Sequence, residues 1–273
     1  MIGPVTALDT SSIVALLMIV IIGLPHGAFD GAVANYLGAG KTIFSGIRFF
    51  ITYMASAIAV VVLWIFLPSL SLVAFLIISM VHFGWGDANA KTKFQFILQV
   101  VVHGGLVVFG TVNFHITEVT QLFKLLTNGA SAVAIQVSQI MFLGILFLSI
   151  IYLFLAIKNS ELMPRLIELI IIALILVLLP PLLGFAFYFC FVHTGRHILH
   201  IWKKLQIAMN SRVIFIQAIG LTVISWLLGL GAFYFFDSGD VDADILRVVF
   251  IGLAALTVPH MILVDGFFRN EKI

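Results

Sequence analysis

The sequence predicts an all-α, polytopic integral membrane protein, one transmembrane helical domain over residues 1–273 with about nine spanning helices. Three observations carry this expectation. Hydrophobic residues make up 62% of the chain and charged residues 10%, against about 25% charged in an average soluble domain. So few charges cannot cover a water-facing surface, and a soluble globular protein is excluded. Apolar stretches of the roughly 20 residues that a bilayer core demands recur along the whole chain. The basic residues also segregate to one side of the resulting topology. Disorder is excluded because it needs low hydrophobicity and high charge. The single cysteine, Cys190, excludes an intramolecular disulfide and any Cys-rich metal site. A formal charge of +2, with its basic residues scattered, excludes nucleic acid as a partner.

In chain order the spans read roughly 12–33, 44–67, 70–87, 94–112, 132–157, 164–180, 182–202, 212–236 and 245–267. The sixth and seventh meet at Pro180-Pro181, read as a tight turn because proline removes backbone donors and ends helices. If they form one kinked element instead, the count is eight. Ile116–Asn128 mixes apolar and polar residues and reads as an interfacial helix. With the N-terminus outside, one side of the membrane holds Lys41, Arg48, Lys91, Lys93, Lys158, Arg165, Lys203, Lys204, Arg212, Arg269 and Lys272. The other side holds only Lys124 and Arg247, and Arg196 lies within the seventh span. Cytoplasmic loops carry the excess of Lys and Arg, so the expectation is a multi-pass inner-membrane protein with its N-terminus outside and C-terminus cytoplasmic. The acidic loop Asp237–Asp244 falls outside. Nothing basic precedes Lys41, so the first span lacks the charged region of a cleaved signal peptide and is expected to be retained.

Seven of the eight histidines lie inside spans: His26, His82, His103, His193, His197, His200 and His260. His115 falls in a loop and reads as a plain surface residue. Ionisable groups at membrane depth are costly and face the protein interior. His26, His82, His193 and His260 lie roughly 17–21 Å from the outer ends of four parallel spans, at 1.5 Å per residue. His193 and His197, four apart, share a helix face. Asp30, Asp87 and Asp265 follow His26, His82 and His260 by four or five residues, and a carboxylate commonly accepts the second N–H of a metal-bound imidazole. A lone intramembrane histidine more often bridges two helices; a layer of them with carboxylates points to a metal site. Neutral imidazoles without cysteine suit Fe, Zn or Cu. Pro25-His26 with Asp30 is echoed by Pro259-His260 with Asp265, too little to define a repeat. Arg196 is expected to snorkel to the headgroups or pair with an acid.

The strings GLPHGAFD (Gly23–Asp30), HFGWGD (His82–Asp87) and HTGRHILH (His193–His200) resemble those of the Brp/Blh family of bacterial and archaeal β-carotene 15,15′-dioxygenases, the marine-bacterial members above all, and the likeness extends over nearly the whole chain. The resemblance implies cleavage of β-carotene by O2 at its central double bond into two all-trans-retinals that supply a rhodopsin, with Fe(II) as cofactor. It nominates His26, His82, His193 and His197 as catalytic iron ligands. His260 is then expected to act from behind that set, together with Asp30, Asp87 and Asp265. A site at this depth would meet a C40 hydrocarbon directly in the membrane lipid. Phe29, Phe83, Trp85, Tyr188 and Phe191, beside the histidine layer, are candidates for a substrate tunnel that leaves only the central bond over the metal. Most of the 26 phenylalanines read as lipid-facing bulk. Competing readings are a membrane di-iron hydroxylase or desaturase, which gathers paired histidines at the membrane surface; a bis-His haem carrier; and a non-enzymatic transporter, for which no strong inverted repeat is present.

Overall fold

The computed structural model describes residues 8–39, 41–235 and 238–268, the side chains of His26 and of residues 265–268 excepted. The side chains of His26 and Asp265, and the residues Asp237, Arg269 and Lys272, therefore lie outside the described set. No strand occurs among the described residues. The helices are α1 (Thr10–Tyr36), α2 (Ile43–Phe66), α3 (Pro68–Asp87), α4 (Lys93–Phe114), α5 (Ile116–Leu126), α6 (Ala132–Lys158), α7 (Met163–Leu178), α8 (Pro181–Ala208), α9 (Ser211–Phe235) and α10 (Val241–Phe268).

Eight of these, all but α5 and α7, are long and apolar enough to cross a membrane. Helix α7 has 16 residues, about 24 Å at 1.5 Å per residue, and falls short of a typical hydrocarbon core of about 30 Å. It is the sixth predicted span. Pro180 separates it from α8, and Gly184 returns against Leu176 and Leu179, so the two helices are distinct elements joined by a turn. The predicted interfacial helix is α5, stopped by Asn128 and Gly129 with φ of 52° and 93°. Gly129 accepts that left-handed backbone without strain.

The helix ends follow from local chemistry. Thr42 and Ser45 form a reciprocal capping box at the start of α2, satisfying donors that the first turn leaves free. Thr92 caps α4. Three helices depart from regular winding. Helix α1 widens to π geometry at Ile19–Gly23 and then tightens to a 3-10 stretch at Leu24–Phe29. Helix α4 widens at Leu106–Gly110 and α8 at Tyr188–His193. Such turns concentrate at functional sites.

The chain divides into two compact units, Met1–Leu17 with Pro68–His193, and Met18–Leu67 with Thr194–Ile273. In the first, Leu98, Val102 and Leu106 of α4 pack with Tyr152 and Ala156 of α6 and Leu162, Leu166 and Leu169 at and within the start of α7. Gln99 in that core receives the Asn89 amide and donates to the Tyr152 hydroxyl, because a polar group at membrane depth has no water to satisfy it. In the second unit, Ala28, Phe29, Ala32 and Val33 of α1 pack with Ile201 and Leu205 of α8, Ile214 and Ala218 of α9, and Val264 of α10. Helices α2 and α10 pack against each other there.

Candidate functional site

In the first unit the site begins with a backbone contact. A Cβ added to Gly84 would lie 1.9 Å from the carbonyl oxygen of Val100, and one added to Gly104 would lie 1.8 Å from that of Met80. Helices α3 and α4 therefore touch main chain to main chain, which only glycine permits and which small-residue interfaces in membranes exploit. This contact fixes the α3 turn bearing His82 and Asp87, both buried. On α8 the widened turn from Tyr188 to His193 carries i→i+5 bonding, and its two end residues bring their rings to 6.5 Å.

His82 and His193 meet here. Their Nε2 atoms are 3.2 Å apart, with ring centroids at 4.8 Å and planes at 67°. Phe83 lies edge-on to His193 at 4.8 Å and Phe189 stacks on it. Gly86 leaves room beside the same ring, where a Cβ would come to 3.6 Å. Asp87, expected beside His82, accepts the hydroxyl of Tyr188 at 2.8 Å. Two nitrogens each about 2.1 Å from one metal ion, at angles of 90–109°, stand about 3.0–3.4 Å apart. The His82–His193 separation fits that edge, and it equally fits one ring donating N–H to the other's lone pair.

The second unit holds a different arrangement. Asp30 of α1 is 1% exposed. Its Oδ2 accepts the hydroxyl of Tyr53 from α2 at 2.8 Å, and its Oδ1 lies 2.7 Å from Nδ1 of His260 on α10. The ring of His197 on α8 stands 4.9 Å from that of His260 at 62°. Sequence spacing had paired His260 with Asp265 and Asp30 with His26; the partner given to His260 is Asp30, from the opposite end of the chain. Tyr53 was not anticipated: a lone tyrosine in an apolar span with no histidine near it in sequence carries no signal. Among the described residues no three His, Cys, Asp or Glu side chains gather into one ligand group.

Other expected residues fall as follows. Phe83 and Tyr188 are buried around His193. Trp85 lies edge-on to Phe96 at 5.2 Å. Phe191 is 55% exposed and sits on an outer face of its helix. Phe29 lines an apolar cavity of about 250 Å³ with Pro25, Ile198, Ala218, Thr222 and Trp226. That cavity's polar atoms are occupied, the Thr222 hydroxyl by the carbonyl of Ala218 and the Trp226 N–H by that of Val20. His103 is buried against Tyr152 in the first unit's core. His115 is half-buried and bonds the carbonyl of Leu176 at 2.8 Å.

These features define a polytopic, all-helical membrane protein with histidine and carboxylate groups buried at depth. A family model described as Beta-carotene 15,15'-dioxygenase matches residues 17–268, and the chain belongs to that family. It is 39% identical over 264 residues, covering 94% of each chain, to a Beta-carotene 15,15'-dioxygenase from uncultured marine bacterium 66A03. No solved structure matches it.

Proposed function

We propose that this protein cleaves β-carotene at its central 15,15′ double bond with O2, giving two molecules of all-trans-retinal, and that it uses Fe(II) to do so. Family membership supports the reaction. The observation carrying the metal reading is the 3.2 Å approach of the His82 and His193 Nε2 atoms in a buried, aromatic-walled setting. The proposed ligands are His26, His82, His193 and His197, the set nominated by the sequence motifs. Bound ferrous iron would supply oxygen activation through an open coordination position.

The chain's own residues do the rest. His82 and His193 would present imidazole nitrogens to the metal, and both are buried. Tyr188 holds the Asp87 carboxylate by donating its hydroxyl. Phe83 and Phe189 clamp the His193 ring. Apolar walls hold a rigid polyene so that position, not reactivity, selects the bond, since successive conjugated double bonds are chemically alike. The carotenoid arrives from the membrane lipid, and the retinal supplies a rhodopsin.

The test is expression in cells that accumulate β-carotene. Loss of orange colour with retinal at about two per β-carotene consumed is expected; longer apocarotenals in quantity, or unchanged colour, would overturn the reading. We also propose an inner-membrane location with the N-terminus outside and the C-terminus cytoplasmic, from the partition of basic residues. Reporter fusions in the Asp237–Asp244 loop should read as external and fusions after Lys272 as cytoplasmic. The same side for both would mean that α10 does not cross, and the two sides exchanged would mean that the short helix α7 does not.

A further inference from the structure

We propose that His260 is a metal-binding imidazole, aimed by the carboxylate of Asp30, which Tyr53 in turn holds in place. This rests on the metal-dependent reading above and departs from the expectation that His260 acts only from behind the ligands. Three helices contribute one residue each: α1 gives Asp30, α2 gives Tyr53 and α10 gives His260. Both carboxylate oxygens are engaged, Oδ2 by the Tyr53 hydroxyl at 2.8 Å and Oδ1 by His260 Nδ1 at 2.7 Å, so the plane of the carboxylate is set from two sides. An ionised carboxylate can only accept. Facing such a carboxylate, Nδ1 carries the proton, and in the neutral form of the ring the lone pair would reside on Nε2. This is the tautomer a metal takes up, and a carboxylate on the far nitrogen is the common mark of a ligating histidine.

The neighbour strengthens the case. His197, one of the nominated ligands, faces His260 at 4.9 Å and 62°. That is nearly the relation of His82 to His193, at 4.8 Å and 67°, the pair whose Nε2 atoms converge. Ring spacing and inclination are thus alike in the two pairs. The imidazole is a buried titratable ring, a costly group at membrane depth that defaults to function.

The test uses the full-length purified protein and reads metal binding without substrate. Iron content after loading, cobalt(II) affinity and the ligand-field spectrum of the cobalt(II) form are measured for wild type, His260→Ala, Asp30→Asn and Tyr53→Phe, with helicity and thermal midpoint as folding controls. His260→Ala should lose at least about 100-fold in affinity and change the spectrum, because a ligand is gone. Asp30→Asn should lose about 10–100-fold, as for groups that orient a ligand. Tyr53→Phe should lose less and keep the wild-type spectrum, because the ligands are unchanged. A folded His260→Ala variant with wild-type affinity and spectrum would overturn the proposal. If His260→Ala fails to fold, wild-type affinity in both Asp30→Asn and Tyr53→Phe overturns it. The outcomes separate from those of the reaction: a wild type that makes retinal with unaffected variants sinks this inference alone. Metal loss in the variants of a wild type that makes no retinal sinks the reaction alone.

Discussion

The two units handle buried histidine in opposite ways. In the first, His82 and His193 meet nitrogen to nitrogen beside the rings of Phe83 and Phe189, and Asp87 accepts the Tyr188 hydroxyl. In the second, His260 is fixed by a bond to the Asp30 carboxyl, and its neighbour His197 stands edge-on beside it. Aromatic rings line the first pair, and a carboxylate bond holds one member of the second. Packing tolerates little change of shape. A carboxylate partner makes the imidazole a better donor and selects its tautomer. Mutations should therefore separate the units by kind of damage: shape changes for the first, loss of polar partners for the second.

The largest effect is expected where the nitrogens converge. His82→Ala or His193→Ala should reduce retinal formation below detection and lower bound iron, while the protein still inserts. Near-normal turnover in either variant would remove that residue from the proposed ligand set and leave the second unit as the more informative half.

Next comes the helix contact beneath the first pair. Gly104→Ala places a methyl into the α3 backbone, where no flexible side chain can yield. Overpacking of this kind costs about 3 kcal/mol or more, read as a fall in thermal midpoint with loss of iron. Gly220 in α9 has nothing within 4 Å of an added Cβ. Gly220→Ala should then be neutral or stabilising by up to about 1 kcal/mol. Equal behaviour of the two variants would deny that backbone contact shapes the first unit.

A smaller change tests polar support in the unit that relies on packing. Tyr188→Phe removes the hydroxyl from Asp87 and keeps the ring against Phe83. About 10-fold lower turnover or metal affinity is expected, the low end for a group one step removed from a ligand. A loss as large as that of His193→Ala would show that the carboxylate matters here as much as in the second unit.

How much of this was legible in the sequence depends on the range of the interaction. Helix positions follow from apolar length alone, and the predicted spans agree with the helices to within a few residues in most cases. Helix α5 was visible from the mixed composition of Ile116–Asn128. His82 and His193 were visible together by depth and motif, although they come from different helices. The Asp30–His260 bond was not, because spacing along one helix suggests a local acid, whereas the actual partner is 230 residues away. The widened turn at Tyr188–His193 was also hidden, since a periodicity argument assumes 3.6 residues per turn throughout. Phe191 was singled out beside the histidines and Phe189 was not. Helical rotation turns one ring onto His193 and the other outward.

The smallest expected effect belongs to His115, which sequence position alone marked as a plain surface residue. It lies between α4 and α5, and its Nε2 bonds the carbonyl of Leu176 in the last turn of α7. The final four carbonyls of a helix have no amide partner within it. Leu179 N–H serves Ile175, and His115 serves Leu176. The short helix α7 depends on such outside partners because the turn at Pro180-Pro181 supplies no backbone donors from either proline. His115→Ala should lower stability by about 1 kcal/mol, the net worth of one such bond, with turnover per folded molecule within about twofold of wild type. His115→Gln, which restores an N–H donor on a chain of similar reach, should recover most of the loss. Thermal midpoint and turnover measured on the same preparations decide the matter. A fall in turnover or iron content at unchanged stability would mean that His115 belongs with the functional histidines and that the first unit holds more of the chemistry than its converging pair.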